Sequence, residues 1–198
     1  MKLNHSQYFL IFLTLVASTY TLMAIGKWWL ADKAFAQGKN LADAGYISQG
    51  FPLLEQAVQL MPGEPLFHSG LAEATAKIAW GLAQQPATPA AHQATQLAIA
   101  ESDKTIKLNP VHVNFWKTRI QILLILAQLD PNFTLSALDA LHTALTLAPT
   151  DAKLTYNLGL LYLQLGQVAT AKTNFQAALQ LKPDYAPARQ ALDQLPIP

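Results

Sequence analysis

The chain has 198 residues, of which 52% are hydrophobic and only 13% are charged, with a formal net charge of +1. The scattered Lys and Arg residues form no basic stripe and so give no reason to expect nucleic-acid binding. The absence of cysteine excludes disulfide bonds and thiolate metal sites. The length is that of one domain of ordinary size.

The first predicted element is a helix long enough to cross a membrane. Residues 8–25 contain no charged side chain, and at 1.5 Å per residue this run reaches roughly 27 Å, close to the bilayer core of about 30 Å. Tyr8 lies at one end, and Trp28 and Trp29 lie at the other, where aromatic rings prefer the membrane interface. We therefore expect residues 1–30 to form the anchor of a single-pass membrane protein.

Two other interpretations of this segment are open. A cleaved signal peptide would have a shorter apolar region, and no A-x-A-like site directly follows the run. A buried core helix is the other interpretation. Lysines on both sides of the run leave the orientation undetermined, and only analogy with small bacterial proteins of this layout favours an extracytoplasmic solenoid.

Downstream of the anchor, apolar segments with helical periodicity each end at a proline, namely Pro62, Pro110, Pro149 and Pro183. Recurrence of this kind is typical of a solenoid, in which each helical hairpin buries its apolar face by stacking on the next. We expect units at about residues 31–64, 65–112, 113–151 and 152–185, and a cap at 186–198.

The unit at 152–185 carries the clearest motif. A Leu-Gly pair, a tyrosine, an alanine, a phenylalanine and a proline follow at fixed offsets; they are Leu158, Gly159, Tyr162, Ala171, Phe175 and Pro183. This pattern resembles the tetratricopeptide repeat (TPR), with Thr155 where the family prefers tryptophan. The resemblance implies an all-α solenoid of about four TPR-like hairpins. With the predicted transmembrane helix and a short tether before it and a C-terminal capping helix after it, this is the expected fold. It implies binding rather than catalysis.

The second unit carries the longest insertion. Its first helix either continues for about two extra turns or runs into a loop, and Pro86 and Pro89 interrupt the pattern. Thr88 is the expected N-cap of a long second helix that begins at Pro89. In the first unit, Gly50 stands where the last unit has a close-packing alanine, and we expect it to weaken that helix slightly.

In a TPR array the first helix of each hairpin lines a concave groove. The register of this sequence predicts a partner-binding groove lined by Phe35, Lys39, Ser69, Glu73, Lys117, Gln121, Tyr156, Asn157, Leu160 and Leu163. Lys117 and Asn157 resemble part of the clamp with which some TPR domains hold a peptide carboxylate. The alternative is that Asn157 is a common repeat residue and Lys117 a solvated charge. The mixture of side chains suits a helical or extended peptide.

No catalytic, cofactor or metal motif stands out in the sequence. The five histidines are widely spaced, and we expect isolated histidines at the surface or in the groove. Trp80 is the least explained of the four tryptophans. We therefore predict a non-enzymatic scaffold, without cofactor or metal, that binds a protein or peptide.

The order of elements also resembles the C-terminal end of bacterial O-antigen ligase-type and polymerase-type membrane proteins, in which TPR hairpins follow a last membrane span. The similar segments are 31–67, 109–119, 126–133 and 147–167. This resemblance implies an alternative function, as an accessory or detached module of a cell-envelope glycan-assembly system with a polytopic membrane protein as partner. It carries over no catalytic residue.

Overall fold

The computed structural model describes residues 4–84 and 89–195, and in these ranges the chain forms nine α-helices and no strand. In chain order the helices are α1 His5–Asp43, α2 Ile47–Leu60, α3 Pro65–Ala83, α4 Pro89–Leu108, α5 Val113–Leu126, α6 Asn132–Leu147, α7 Ala152–Gln164, α8 Val168–Leu181 and α9 Ala186–Asp193. This architecture confirms the all-α prediction.

α1 is one continuous helix that contains both the apolar segment and the first helix of the first hairpin. Asn4 caps it, since its side chain accepts a hydrogen bond from the Gln7 amide at 2.9 Å. Its first buried residue is Ala31. The predicted short tether is therefore wrong, because the helix continues without a break through Gly26 from the apolar segment into the repeats. Among the described helices, α1 is one that is long and apolar enough to cross a membrane, a criterion that signal sequences also meet.

The helices pair as successive hairpins, α1 with α2, α3 with α4, α5 with α6 and α7 with α8. The last helix, α9, packs on α8. Gly45 and Gly166 provide the left-handed backbone of two tight turns, with φ of +90° and +75°. The insertion in the second unit is helical up to Ala83, where α3 ends. The predicted N-cap at Thr88 and the interruption at Pro86 lie outside the described residues.

Glycines allow close crossing of the helices in the first hairpin. Gly38 and Gly50 are both buried, and a Cβ atom on Gly38 would lie 2.9 Å from the Gly50 carbonyl oxygen. A Cβ atom on Gly50 would meet the Gly38 carbonyl oxygen closer than 3.0 Å. The expectation that Gly50 merely weakens α2 is therefore incomplete, because its missing side chain lets α1 and α2 touch through their backbones.

Side chains in the first helices also fix the turns between hairpins. In three turns, a donor six residues beyond the turn proline hydrogen-bonds that proline's carbonyl oxygen: His68 to Pro62, Trp116 to Pro110 and Arg189 to Pro183. The fourth residue at this position, Thr155, donates to the Asp151 carbonyl oxygen instead. This is the position at which the TPR pattern has tryptophan, and the shared property here is a side-chain donor.

Candidate functional site: the first-helix face

The first helices of the hairpins form one face of the molecule. This first-helix face consists of α1 from residue 31, α3, α5 and α7; α3 packs directly on both α1 and α5. It contains every residue of the predicted groove. The structure shows which of these side chains are already engaged within the fold and which are exposed.

At the N-terminal end of the face, four charged side chains form a cluster. Lys39 Nζ lies 2.5 and 2.7 Å from the two carboxylate oxygens of Asp43 and 3.5 Å from Glu73, and Lys77 Nζ lies 2.7 Å from Glu73. Burial lowers the pKa of Lys39, but the hydrogen bond to Asp43 and the charge of Glu73 outweigh it and raise that pKa overall. Lys39 and Glu73 were predicted as site residues, whereas Asp43 and Lys77 were missed.

Phe35 and Ser69 are packed rather than open. The Phe35 ring lies 4.9 Å from the Phe67 ring, centroid to centroid, and covers Gly70. Ser69 is buried at the edge of a cleft of about 420 Å³ that Glu64, Asn109 and His112 also line. Phe35 therefore stabilises the join of α1 to α3 and offers little surface to a partner.

Lys117 lies between two helices of the face. Its Nζ lies 2.6 Å from Asp151 Oδ2, and Oδ1 of Asp151 accepts the amides of Lys153 and Leu154 at 3.0 and 3.1 Å. Asp151 is thus the N-cap of α7. Burial raises the pKa of Asp151, but the Lys117 hydrogen bond and the backbone amides lower it overall. Lys117 is thus engaged with Asp151 while still partly exposed, and a carboxylate ligand would have to compete with Asp151.

Two variants of Asp151 separate its two contacts. Asparagine is as good an N-cap as aspartate but cannot pair with Lys117, whereas alanine loses both. We expect Asp151→Ala to lower the free energy of unfolding by about 1 kcal/mol. Asp151→Asn should lower it by only about 0.3 kcal/mol, since exposed ion pairs contribute little. Urea unfolding followed by circular dichroism measures the difference, and equal losses would contradict the assignment.

The sign of the pH dependence follows from the lowered pKa of Asp151. The stabilisation by the ionised carboxylate is present above the unfolded-state pKa, near 3.8, and is lost as the pH falls through the lower folded-state pKa. The difference in stability between the chain and Asp151→Asn should therefore shrink at acid pH and stay constant near neutrality.

The C-terminal end of the face is aromatic and aliphatic. The Tyr156 ring lies 5.6 Å from Phe175 and 5.4 Å, edge-on, from Tyr185, so that it joins α7, α8 and the turn before α9. Burial, Tyr156 and Asp151 raise the pKa of Tyr185. Among the predicted groove residues here and on α5, Gln121 and Leu160 are exposed, whereas Asn157 and Leu163 are half-buried.

Trp80 lines a depression that was not predicted. It is 42% exposed and, with Ile47, Lys77, Ile125 and Gln128, borders a largely apolar hollow of about 370 Å³. The helical spacing from Glu73 to Lys77 and onward to Trp80 was a signal for this surface. This spacing could be used only if α3 was known to continue as a helix past the usual length.

His68 differs from the sequence expectation. It is fully buried, its Nε2 donates to the Pro62 carbonyl oxygen at 3.0 Å, and its Nδ1 contacts the Glu101 carboxylate on α4. Because a carbonyl oxygen only accepts, Nε2 carries a proton. The prediction of a surface or groove histidine is thus wrong here, and His68 fastens α3 to α4. Within the described residues, no three His, Asp or Glu side chains are grouped to hold a metal.

Comparison with protein families matches residues 152–185 to the tetratricopeptide repeat, over the stretch with the clearest motif. Curated proteins give no match. Similar solved structures include PilF of Pseudomonas aeruginosa, 20% identical with a TM-score of 0.61, covering 87% of this chain and 79% of that one. They also include MamA from Desulfovibrio magneticus, 21% identical with a TM-score of 0.60, covering 82% and 81%. At this identity the likeness establishes the TPR-type solenoid fold.

Proposed function

We propose that this chain is a non-enzymatic, membrane-anchored scaffold that holds a protein or peptide partner on its first-helix face. The observation that carries the proposal is the unengaged surface at the C-terminal half of that face. Gln121 on α5 and Leu160 on α7 are exposed at corresponding positions of adjacent hairpins, and Leu160 is 40% exposed. Solenoids of helical hairpins generally use such an extended inner surface for binding.

The contacts within the fold divide the predicted groove into two classes. Phe35, Lys39, Glu73, Lys117 and Tyr156 already bind other parts of the chain. Changing them would disturb the solenoid together with any binding site. Gln121, Leu160 and the half-buried Asn157 and Leu163 are then the residues best placed to contact a partner, with Trp80 extending the surface toward α3.

The apolar surface of this half favours an amphipathic partner. Leu160 and Trp80 supply large exposed apolar groups, while Gln121 and Gln128 supply amide donors and acceptors. An amphipathic helix or an extended segment with spaced apolar side chains matches this combination. A strongly charged partner has less to bind, because the acidic and basic groups of α1 and α3 neutralise each other.

Site-specific photo-crosslinking in the native cell tests this proposal. A photoreactive amino acid at Gln121 or Leu160 should give a discrete crosslinked product, and the same group at Lys172 or Gln176 should not. These two controls are exposed on α8, a second helix of a hairpin. Equal crosslinking from both helices, or none from α5 and α7, would exclude the first-helix face as the binding surface.

The anchor forms part of the same proposal. Residues 1–30 would provide the anchor, with residues 8–25 crossing the bilayer, and residues 31–198 would form the TPR domain; the side of the membrane stays open. The support is the exposed apolar surface of α1, none of which is buried along its most apolar stretch. The glycan-assembly alternative rests on the sequence resemblance alone.

A further inference from the structure

The end of the apolar segment lies next to the solenoid. Trp28 and Trp29 are exposed, and Lys33 Nζ lies 5.3 Å from the Trp29 ring centroid. Ala31 is already fully buried in the core of the first hairpin. Only Leu30 lies between Trp29 and Ala31, so the helix rises about 3 Å from one to the other. If α1 crosses a membrane, the first hairpin must therefore begin at the membrane interface.

The first two turns between hairpins lie at that same end of the solenoid. Ala31 shares its core cluster with Phe67 and with Leu60 and Met61, which flank the first turn. The second turn is adjacent, because Asn109 and His112 line one cleft together with Glu64 and Leu66. We term residues 61–66 and 108–112 the turn edge.

The turn edge exposes two apolar side chains that the later hairpins lack. Leu66 is 47% exposed and Val111 is 73% exposed. Counted from the turn proline, the position of Leu66 is occupied by Asn114 and Lys153 in the next two hairpins, and that of Val111 by Thr150 and Asp184. The exposed apolar groups at these two positions are thus specific to the turns nearest the anchor, whereas the exposed Leu108 has exposed counterparts in Leu147 and Leu181 of the later hairpins.

Basic side chains accompany these apolar groups. Lys107 is exposed in the last turn of α4, and Lys33 lies beside Trp29. The nearby Glu64 carboxylate accepts the Leu66 amide at 3.3 Å. Lysines flanking apolar side chains match the boundary between acyl chains and lipid phosphates.

We propose that the turn edge rests on the lipid surface, with Leu66 and Val111 in the headgroup region. The inference rests on the proposed anchoring of α1 and adds to it an orientation of the solenoid. The continuous α1 helix holds the turn edge against the bilayer, so the opposite turns, at 44–46 and 165–167, point away from it. The repeat domain then stands at a fixed angle to the membrane.

Single-cysteine labelling tests the proposal, because the chain lacks cysteine. Val111→Cys, Gln167→Cys and Leu15→Cys, each in the full chain, are labelled with a small fluorophore. The chains are reconstituted in vesicles of phosphatidylcholine and phosphatidylglycerol that contain a spin-labelled lipid. Gln167 is the matched control, since it is exposed in a turn at the opposite edge. Leu15 lies within the apolar segment and reports insertion.

A headgroup spin label should reduce the emission from position 111 roughly twofold or more and leave position 167 unchanged. An acyl-chain spin label should quench position 15. Quenching at 15 with equal, weak quenching at 111 and 167 would overturn the turn-edge proposal and leave the anchoring intact. No quenching at 15 would refute the anchoring and, with it, the inference.

Discussion

Replacing Phe175 with alanine is expected to lower the stability of the C-terminal hairpin by about 3–5 kcal/mol, the usual cost of emptying an aromatic site in a core. Phe175 is fully buried, and its ring occupies the space that Gly159 leaves open, since a Cβ atom there would lie 2.5 Å from the ring. The ring also supports Tyr156, which in turn packs on Tyr185. Losing it removes the α8 support of Tyr156, the side chain that connects α7 to the turn before α9.

The effect should be local, because each unit of a solenoid contacts only its neighbours. Hydrogen exchange of the detergent-solubilised chain should show that α7 to α9 lose protection while α3 and α4 retain it. Leu181→Ala is the matched control, since Leu181 lies on the same helix and is 41% exposed. We expect it to change stability by about 0.5 kcal/mol or less. Equal effects of the two variants, or a loss spread over all helices, would contradict this account.

The hairpins were predictable because their signals are local. The turn prolines at Pro62 and Pro149 end apolar helical patterns, and Gly45 and Gly166 follow first helices that need a left-handed residue. The motif around Leu158 needs only the spacing within a single hairpin. In each case the residue that fixes the structure and the structure it fixes lie within one unit.

The parts of the site that depend on distant partners were not predictable. Lys117 and Asp151 lie 34 residues apart and meet only when α7 stacks on the preceding hairpin. His68 and Glu101 lie 33 residues apart on α3 and α4. A single sequence shows that a side chain is charged or polar. It does not show which carboxylate the fold brings beside it. The sequence therefore predicts free polar and charged side chains that are paired in the structure.

The continuity of α1 was missed for another reason. The expected tether has no support in the sequence between Trp29 and Asp43, which contains no proline and only one glycine, Gly38. Helical propensity therefore continues across the assumed boundary. The buried side of the helix begins at Ala31. The apolar segment and the first helix of the solenoid therefore form one continuous α-helix.

Gly50→Ala is expected to destabilise the first hairpin by about 2 kcal/mol, although alanine is the better helix former by about 1 kcal/mol. A Cβ atom at position 50 would lie closer than 3.0 Å to the Gly38 carbonyl oxygen and 3.1 Å from the Ala42 amide nitrogen. Both are backbone atoms of α1 and cannot rotate away. The two helices must therefore separate, which would loosen the packing of the buried Leu54 and Leu71.

Gly81→Ala is the control that isolates helix propensity. Gly81 also lies in a helix, α3, but a Cβ atom there would meet nothing within 4 Å, and so we expect a gain of about 0.5 kcal/mol. Guanidinium unfolding of the full chain in detergent should give shifts of opposite sign for the two variants. An increase in stability for both variants would contradict the prediction, because it would show that the α1–α2 crossing can accommodate a Cβ atom at position 50. Stability changes of opposite sign would show that the close Gly38–Gly50 crossing holds α2 rigidly on α1. A fixed orientation of the repeats at a membrane depends on this rigid contact.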